Sequence, residues 1–457
     1  MAGQTSGRLL YSNEGPDLAV RLFLLSVALL ATGCSKWSQV KDAPTYCRDI
    51  APVLNANCVT CHRPGEVAPF SLLTYKDARK HGKTIVAVVK KKIMPPWKAV
   101  PGYGDFVGAR QLSDDQIASI DKWVKAGMPE GDRKDLPASP TFVSGWQLGP
   151  PDIVLEMPEP YNLPAEGRDM HRNFVLPLEL PERKYIHAVE YRPSNRRVVH
   201  HAVLMMDPTQ SSRKKDEADV GPGFTQVLLP GRMLPGNMGI WTPGWQPVPL
   251  PEGLSVPWPK GADFVLQLHL HLSGKPESEQ SKIGIYLTDQ PPSKSTVDLL
   301  LEDRRIDIAP GQKAYRTRDY LFLPAEVDIF GLFPHMHWLG KEVKVTAKIL
   351  GGEEQTLLWI NDWNFKWQMY YQNVKPVRLP AGTELLMECV HDNSADNPNN
   401  PSLTPQRVVF GEQTFNEMSD VVVQVIPVNK TDIPRVWSYV EQRHRRKEKD
   451  FQATLKP

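Results

Sequence analysis

Histidines gathered in three short clusters constrain this 457-residue chain more than any other feature. Six of its twelve histidines lie in the groups His200-His201, His269-Leu270-His271 and His335-Met336-His337. Apolar and polar residues alternate near each group, which predicts β-strands. On a strand, residues two apart point to the same face, so His335 and His337 can bind one metal ion together. One such pair could be an ordinary buried pair, but three on similar strands predict a metal protein.

The adjacent residues His200 and His201 need a special backbone to act together. A regular strand sends neighbouring side chains to opposite faces, so joint binding of one ion requires a β-bulge or a strong twist. In the later stretch 264–271, leucines alternate with other residues. We expect the leucine face to enter a core and the face with His269 and His271 to point the other way.

Length and composition favour several β-rich domains. A chain of 457 residues is expected to contain about three domains. The 43 prolines and 31 glycines indicate a loop-rich β protein rather than a helical bundle. A net charge of +2 gives no global field that would favour nucleic acid as a partner. Residues 151–292 and 293–430 are interpreted as two all-β units, and the charged tail 431–457 is predicted to be helical.

The first 34 residues have the pattern of an export signal. Arg21 precedes an apolar run at 22–30, which has the length of a signal core and is too short to span a bilayer. The run ends in Ala31-Thr32-Gly33-Cys34, which resembles a bacterial lipobox. We expect a mature chain that is lipidated at Cys34 and anchored outside the cytoplasm, with Ser35 favouring an outer membrane. An ordinary cleaved signal or an uncleaved anchor is the alternative.

A haem-attachment motif follows the signal segment. In Cys58-Val59-Thr60-Cys61-His62, the two thiols can add to the haem vinyl groups and His62 can bind the iron. In a cytosolic chain the same motif could serve redox or zinc chemistry, but the export signal and the lack of a second CxxC favour haem c. Met94 is predicted to be the far iron ligand, since a thioether or a second histidine is expected there. His81 and Met128 compete with it.

Residues 35–135 are predicted to form a small helical domain around this motif. A helix-like run at 75–92 leads to Met94, and Ser113 with Gln116 forms a capping box that opens the last helix. Residues 136–150 are polar and proline-bearing, as in a linker. Cys47 and Cys389 allow at most one disulfide between them, and we expect both to be buried thiols.

Four pieces of the β region carry a family resemblance. They are Val199-His200-His201, Val265-Leu266-Gln267-Leu268-His269, His335-Met336-His337-Trp338-Leu339-Gly340-Lys341 and Asn416-Glu417-Met418. These four pieces occur in the order, and with spacing similar to that, of a known family. The region 150–430 therefore resembles the type II copper, ascorbate-dependent monooxygenases, the family of peptidylglycine and dopamine β-monooxygenases. The segment 35–135 is similar to small cytochrome c domains that are fused to other periplasmic enzymes.

The resemblance implies two separate copper sites, one in each of two jelly-roll β-sandwich domains. His200, His201 and His269 would hold the electron-transfer copper. His335, His337 and Met418 would hold the copper on the oxygen and substrate side. Imidazole suits both copper oxidation states, and a thioether favours Cu(I), so the assignment agrees with the residue types.

One further histidine has no counterpart among the family's ligands. His271 follows His269 in the same strand. We expect it to support a ligand by hydrogen bonding, with an ordinary surface histidine as the alternative.

The sequence also departs from the family. The animal enzymes carry several disulfides, which this chain cannot form, and they lack a fused cytochrome. Where the peptide-amidating members bind a substrate carboxylate with arginine, asparagine and tyrosine, this chain has Phe333, Asp420 and Val422. A carboxylate would meet an acidic group and no cation there, so peptide amidation is set aside.

The sequence therefore predicts a multidomain protein, with a small all-α cytochrome c domain followed by two all-β jelly-roll sandwich domains. The expected function is copper-dependent hydroxylation of a C–H bond with O₂, using two copper ions and one covalent haem c. Its partners would be an organic small molecule, O₂, the membrane and a one-electron donor such as a reduced cytochrome, a quinol-linked donor or an ascorbate-like reductant. The alternative is a haem and copper protein that transfers electrons or binds copper without hydroxylase activity.

Overall fold

The computed structural model describes residues 43–143, 145–167, 169–226, 232–411 and 413–454. The predicted signal segment and the lipid anchor at Cys34 lie outside these residues. Strand residues clearly outnumber helical ones in the described chain, so the predicted predominance of β structure is confirmed. Among the described residues, no helix is both long and apolar enough to cross a bilayer.

The N-terminal part is a small helical unit. A short π-helix at Tyr46–Ile50 leads into α1 (Ala51–Asn57), and two longer helices follow, α2 (Tyr75–Lys90) and α3 (Asp114–Lys125). Ser113 and Gln116 form the predicted capping box at the start of α3. The apolar faces of α2 and α3 bury Ile85, Val89 and Trp123 in one core, which holds the unit together.

The segment between α2 and α3 leaves this unit and packs elsewhere. Trp97 and Phe106 belong to the core of the second β unit. The Val100 N–H donates to the Trp359 carbonyl at 2.8 Å, and the Val107 N–H donates to the Gln372 carbonyl at 2.8 Å. Helical and β parts are therefore joined by shared core residues as well as by the chain.

The first β unit follows a short 3₁₀ turn at Arg133–Asp135. Its strands are β1 (Ile153–Glu156), β2 (Tyr161–Leu163), β3 (Met170–Pro177), β4 (Tyr185–Arg192), β5 (Val199–Asp207), β6 (Phe224–Thr225), β7 (Arg232–Met233), β8 (Ile240–Trp241), β9 (Asp263–Leu270), β10 (Glu277–Glu279) and β11 (Lys282–Thr288). The helix α4 (Ser211–Ala218) and a 3₁₀ turn at Gly236–Met238 lie between strands.

Two sheets of this unit enclose a common core. One has the order β1-β11-β4 and the other β6-β3-β9-β5-β7, with β8 also paired to β5. Phe264, Leu266 and Leu268 of β9 pack with Ile283 and Ile285 of β11, which places the core between the sheets. The predicted leucine face of β9 is therefore confirmed, and the arrangement is consistent with a β-sandwich.

The second β unit is built from the remaining strands. They are β12 (Val297–Glu302), β13 (Asp307–Ile308), β14 (Tyr315–Phe322), β15 (Val327–Met336), β16 (Gly340–Lys348), β17 (Glu354–Ile360), β18 (Tyr371–Leu379), β19 (Glu384–His391), β20 (Val408–Val409) and β21 (Ser419–Pro427). A 3₁₀ turn at Lys430–Asp432 and the long helix α5 (Ile433–Thr454) end the described chain. The predicted helix in the charged tail is confirmed.

Two four-stranded sheets enclose the core of the second unit, with the orders β12-β21-β15-β18 and β14-β19-β16-β17. Every second residue of β21 enters this core, namely Val421, Val423 and Val425. The alternate residues of β21 point out of the unit, as a strand requires.

Those outward faces join the two β units. Val203, Met205 and Val265 of the first unit pack with Phe333 and Tyr370 of the second in one buried apolar cluster, and Val422 packs against it. Nearby, the Gly236 N–H donates to Gln424 Oε1 at 2.7 Å across the same contact. The outer face of β3, β5 and β9 thus opposes the outer face of β15, β18 and β21, and this contact positions the histidines.

Candidate metal centres

Three neighbouring strands of the first unit place histidines in one row. The strand order is β3-β9-β5, and His269 of β9 is the direct cross-strand partner of His171 in β3 and of His201 in β5. Direct partners on one sheet face have close side chains. Nitrogen atoms of His171, His201 and His269 all lie within 4.8 Å of one another, as a shared metal ion requires.

A backbone irregularity brings His200 to the same place. The register of β5 against β9 shifts between Val199 and His201. With this bulge, Nδ1 of His200 lies 3.1 Å from Nδ1 of His201. The β-bulge that the sequence predicted, if His200 and His201 are to bind one ion, is therefore confirmed.

The four imidazoles of His171, His200, His201 and His269 form what we call the four-histidine cluster. The ring of His269 lies 4.3 Å from that of His171, 4.7 Å from that of His200 and 4.9 Å from that of His201, measured between centroids. Two nitrogens 3.1 Å apart, each about 2.0–2.1 Å from an ion, subtend an angle of about 100° at that ion. This geometry fits a bound metal.

The protonation of the cluster also suits a metal. Burial lowers the pKa of His171 and of His200 to about 4. Burial and the neighbouring imidazoles hold the pKa of His201 and of His269 well below the usual range. The four rings are therefore neutral near pH 7, and neutral imidazole is the form that binds metals.

One nitrogen of His269 is prepared for a ligand role. Its Nε2 lies 3.2 Å from Asp169 Oδ2, so it donates its proton there and leaves Nδ1 as the acceptor. This Nδ1 is buried and has no hydrogen-bond partner within the described chain. A buried acceptor without a partner is costly, and a metal ion at this point would satisfy it.

Sequence reasoning missed His171. It stands alone in the stretch Met170-His171-Arg172, with no second histidine to form a recognisable motif. Only its register with His269 reveals its place. His271, in contrast, has a buried Nδ1 without a partner in the described chain and electrostatically influences His200 and His269, so it lies beside the cluster.

A second site forms where β15 ends. The rings of His335 and His337 lie 5.1 Å apart between centroids. Nδ1 of His335 is 2.6 Å from Gln368 Oε1, and Nδ1 of His337 is 3.1 Å from the Asn416 carbonyl. Because each Nδ1 is a donor to an oxygen, each Nε2 is the acceptor that can bind a metal. Burial lowers the pKa of His335, and lowers that of His337 to about 3.

The strand ladder brings Met418 to this site. Met336 of β15 pairs with Ser419 of β21, so the next pair along the ladder would be His337 and Met418. Met418 is buried, with 7% of its surface exposed. We call His335, His337 and Met418 the methionine cluster.

Glu417 fixes the backbone of the methionine cluster. Its fully buried carboxyl group accepts the backbone N–H groups of His337, Leu339 and Met418. Its Oε2 also lies 3.9 Å from Nδ1 of His391. Burial raises the pKa of Glu417 to about 8, although the three N–H donors oppose this effect. One side chain thus holds both segments that supply the cluster.

A loop at residues 361–369 links the two clusters. The ring of Phe365 lies 6.0 Å from that of His269 and 5.7 Å from that of His337, between centroids. In the same loop, Trp363 Nε1 donates to the His337 carbonyl at 3.2 Å, and Gln368 accepts from His335. One aromatic ring therefore lies close to a histidine of each cluster, and His335 is near enough to His171 to influence it electrostatically.

Phe333, Asp420 and Val422 stand where the amidating enzymes bind the substrate carboxylate. In this structure they contact the opposite β unit or lie near charged neighbours. Phe333 and Val422 belong to the apolar contact between the β units. Asp420 lies near Glu302 and Arg304, and burial holds its pKa well above the usual range. Arg304 is a cation near Asp420, so the expectation that a carboxylate would meet no cation here stays a prediction.

The haem-attachment residues follow α1 in a tight turn. Nδ1 of His62 lies 3.1 Å from the Phe70 carbonyl, so it donates there and leaves Nε2 free to bind iron. The His62 N–H donates to the Cys58 carbonyl at 2.9 Å, which keeps the motif compact. Cys58 and Cys61 are free thiols, as haem attachment would require.

The three candidates for the far iron ligand lie in different places. Met94 lines a cavity of about 100 Å³ together with Trp97 and Leu112, and the cavity lining does not include His62. The ring of His81 stacks on Phe70 at 3.9 Å, and Phe70 in turn lies 4.7 Å from His62. Met128 packs in the helical core. Met94 therefore stays a prediction.

The two remaining cysteines of the described chain are unlinked. Cys47 is buried in the helical core and Cys389 in the core of the second β unit. The prediction of buried thiols is confirmed.

Comparisons with known proteins give no family. No protein-family profile matches the chain, and no curated protein matches it. The structure of infectious bursal disease virus Gx strain is 9% identical with a TM-score of 0.18, over 61% of this chain and 72% of that one. The structure of PNGF-II is 10% identical with a TM-score of 0.25, over 60% of this chain and 65% of that one. Likenesses this distant carry no argument.

Proposed function

We propose that this chain is a copper-dependent monooxygenase that hydroxylates a C–H bond of an organic substrate with O₂ and receives electrons through a covalent haem c. The observation that carries the proposal is the pair of largely buried, neutral clusters, each with a histidine ring close to Phe365. One cluster offers only imidazoles, and the other combines imidazoles with a thioether, as the resemblance to the type II copper monooxygenases implies.

The donor sets fit two copper ions. His200, His201 and His269, together with His171, would hold the electron-transfer copper. His335, His337 and Met418 would hold the copper on the oxygen side. Cys58 and Cys61 would attach the haem, with His62 and Met94 as iron ligands. When bound, these groups would supply one-electron transfer and O₂ activation.

The chain's own residues prepare the sites in three ways. Buried surroundings keep the imidazoles neutral, so no proton must leave before a metal binds. Hydrogen bonds from His269 to Asp169, and from His335 to Gln368, fix which nitrogen faces the site. Glu417 holds the backbone of His337 and Met418 in register.

The same proposal covers the finer architecture and the location. The two β units would be jelly-roll sandwiches and the helical unit a cytochrome c domain, on the strength of the resemblance. The mature protein would be tethered by a lipid on Cys34 to a bacterial membrane, on the periplasmic side. Its donor would be a reduced cytochrome, a quinol-linked donor or an ascorbate-like reductant. Because Phe333 and Val422 stand where the amidating members have polar residues, the substrate would carry no carboxylate at that position.

Substrate-dependent O₂ consumption tests the proposal. The copper- and haem-loaded protein is screened with organic compounds while O₂ uptake and haem oxidation are followed. Met418→Ala should lose substrate-dependent uptake by orders of magnitude, since it removes the thioether that favours Cu(I). Met206→Ala, a methionine in the same unit as the four-histidine cluster, serves as the control and should retain uptake.

The alternative is an electron relay without hydroxylase activity. The observation that favours it is the buried Phe365 ring, which lies 6.0 Å from the ring of His269 and 5.7 Å from that of His337. If no organic compound ever stimulates O₂ uptake by the wild type, although haem and copper are present, the relay is the correct function.

A further inference from the structure

The haem-attachment segment touches the first β unit at Gly244. This glycine has a φ of +83°, and a Cβ atom there would lie 2.3 Å from Cys61 Sγ and 2.8 Å from Arg110 Nη1. Both distances are far below van der Waals contact, and the left-handed φ also disfavours any side chain. The Cys61 sulfur therefore lies directly against the backbone of the loop 242–245.

An ion pair holds the same segment at a second point. Glu66, five residues after Cys61, pairs with Arg196, and it also pairs with Arg63 at 2.7 Å. The Glu66 side chain is only 9% exposed, so the pair is better shielded than a surface ion pair. Arg196 lies four residues before His200, which means that both contacts lead to the same strand, β5.

The loop at Gly244 connects directly to the four-histidine cluster. Only Thr242 and Pro243 separate Gly244 from Trp241, the last residue of β8. Trp241 is the cross-strand partner of Ala202, the neighbour of His201 in β5. Trp245 packs against the cores of both β units, which fixes the loop.

We propose that the contact of Cys61 with Gly244 is the electron inlet of the four-histidine cluster, an inference that rests on the proposed function. When both groups are bound, one electron would pass from the haem iron, which would change from Fe(II) to Fe(III), to one copper ion, which would change from Cu(II) to Cu(I). No bond is made or broken. Because the Cys61 sulfur would carry one of the two haem attachments, the loop that leads through Trp241 and Ala202 to His201 would lie beside that attachment point.

Transient absorbance of the haem tests this inlet in the full chain. The haem is reduced without O₂, Cu(II) is added to fill the clusters, and haem oxidation is followed by stopped flow. Gly244→Ala should slow this oxidation at least several-fold, because the new Cβ must displace Cys61 or the loop. Gly382→Ala is the matched control, since Gly382 has a similar φ of +81° and no atom within 4 Å of its Cβ position. Haem and copper content of each variant are measured in parallel.

Three outcomes decide the matter. Slow haem oxidation in Gly244→Ala alone, with unchanged haem and copper content, supports the inlet. A rate equal to that of the wild type overturns the inlet and leaves the proposed function intact. If the wild-type haem is not oxidised by bound copper at all, the proposed function fails together with the inlet.

A second variant covers the case in which Gly244→Ala does not fold. Glu66→Gln removes the charge that binds Arg196 without adding bulk. It should slow haem oxidation while haem content stays unchanged, and an unchanged rate overturns the inlet.

Discussion

At the scale of single residues, the hydrogen bonds of each histidine decide which nitrogen is offered to a metal. His335 and His337 donate from Nδ1 and keep Nε2, whereas His269 donates from Nε2 and keeps Nδ1. The sequence pattern indicated clustered histidines, but it missed His171 and carried no information on these tautomers. They depend on Gln368, Asn416 and Asp169, which are distant in the chain or on its loops.

His171 provides a direct test at this scale. His171→Ala should weaken copper binding by the four-histidine cluster, on the order of 10–100-fold, as expected when a residue that supports or completes a metal site is lost. His271→Ala should have a smaller effect, because His271 lies beside the cluster. A competition titration with a copper chelator gives the affinity, and the Cu(II) EPR spectrum reports the nitrogen ligands. Equal spectra and affinities for wild type and His171→Ala would remove His171 from the site.

The far haem ligand is tested in the same way. Met94→Ala should change the axial ligand and lower the haem reduction potential, since methionine ligation raises it. His81→Ala should leave the spectrum and the potential unchanged. The reverse result would assign the ligand to His81, whose ring stacks on Phe70, a ring that also lies 4.7 Å from that of His62.

At the scale of elements, strand alternation was predictable and strand pairing was not. The alternation in residues 264–270 correctly predicted the core face of β9, and the doublet His200-His201 correctly required an irregularity. The sequence could not show that β3 lies beside β9, because this pairing joins residues about 100 positions apart. His171 was missed for that reason.

Acid should destabilise the metal-free protein through these strands. The pKa values of His171 and His200 are lowered to about 4, while an unfolded histidine titrates near 6.5. Between these values the unfolded chain binds protons that the folded chain does not, so the free energy of unfolding falls as pH falls from about 6.5 to 4. Each residue contributes on the order of 3 kcal/mol over this window. Denaturant unfolding at several pH values measures the slope.

His171→Phe should make that slope shallower, because it removes one titrating group and keeps a ring of similar shape. Leu403→Ala, at a residue that is 99% exposed and carries no titrating group, should leave the slope unchanged. If the slope is the same in the wild type and in His171→Phe, His171 is not held neutral in the folded protein in this pH range.

Glu417 tests how β15 and β21 are held together. Glu417→Ala leaves the N–H groups of His337, Leu339 and Met418 buried without their acceptor, which should cost about 3 kcal/mol or more in the free energy of unfolding. Copper binding by the methionine cluster should weaken as well. Glu354→Ala on the exposed end of β17 is the control and should change stability little. A loss of stability equal to that of the control would show that Glu417 does not hold the cluster.

At the scale of the whole molecule, the contact between the β units creates the candidate site. The sequence predicted a helical unit and two β-rich units, and it predicted the ligand groups within each. It did not predict that Trp97 and Phe106 from the helical unit enter the second core, or that Phe365 lies close to a histidine of each cluster. Contacts between units depend on surface complementarity, which local patterns do not encode.

The number of copper ions per chain tests the central claim most directly. The purified protein is loaded with copper, desalted, and analysed for metal and protein content. Two ions should bind to the wild type, one should remain in a His201→Ala, His269→Ala double variant, and one should remain in a His335→Ala, His337→Ala double variant, because the clusters use different residues. A wild type that holds one ion or none, or a loss of both ions in either variant, would contradict the account of two separate copper sites.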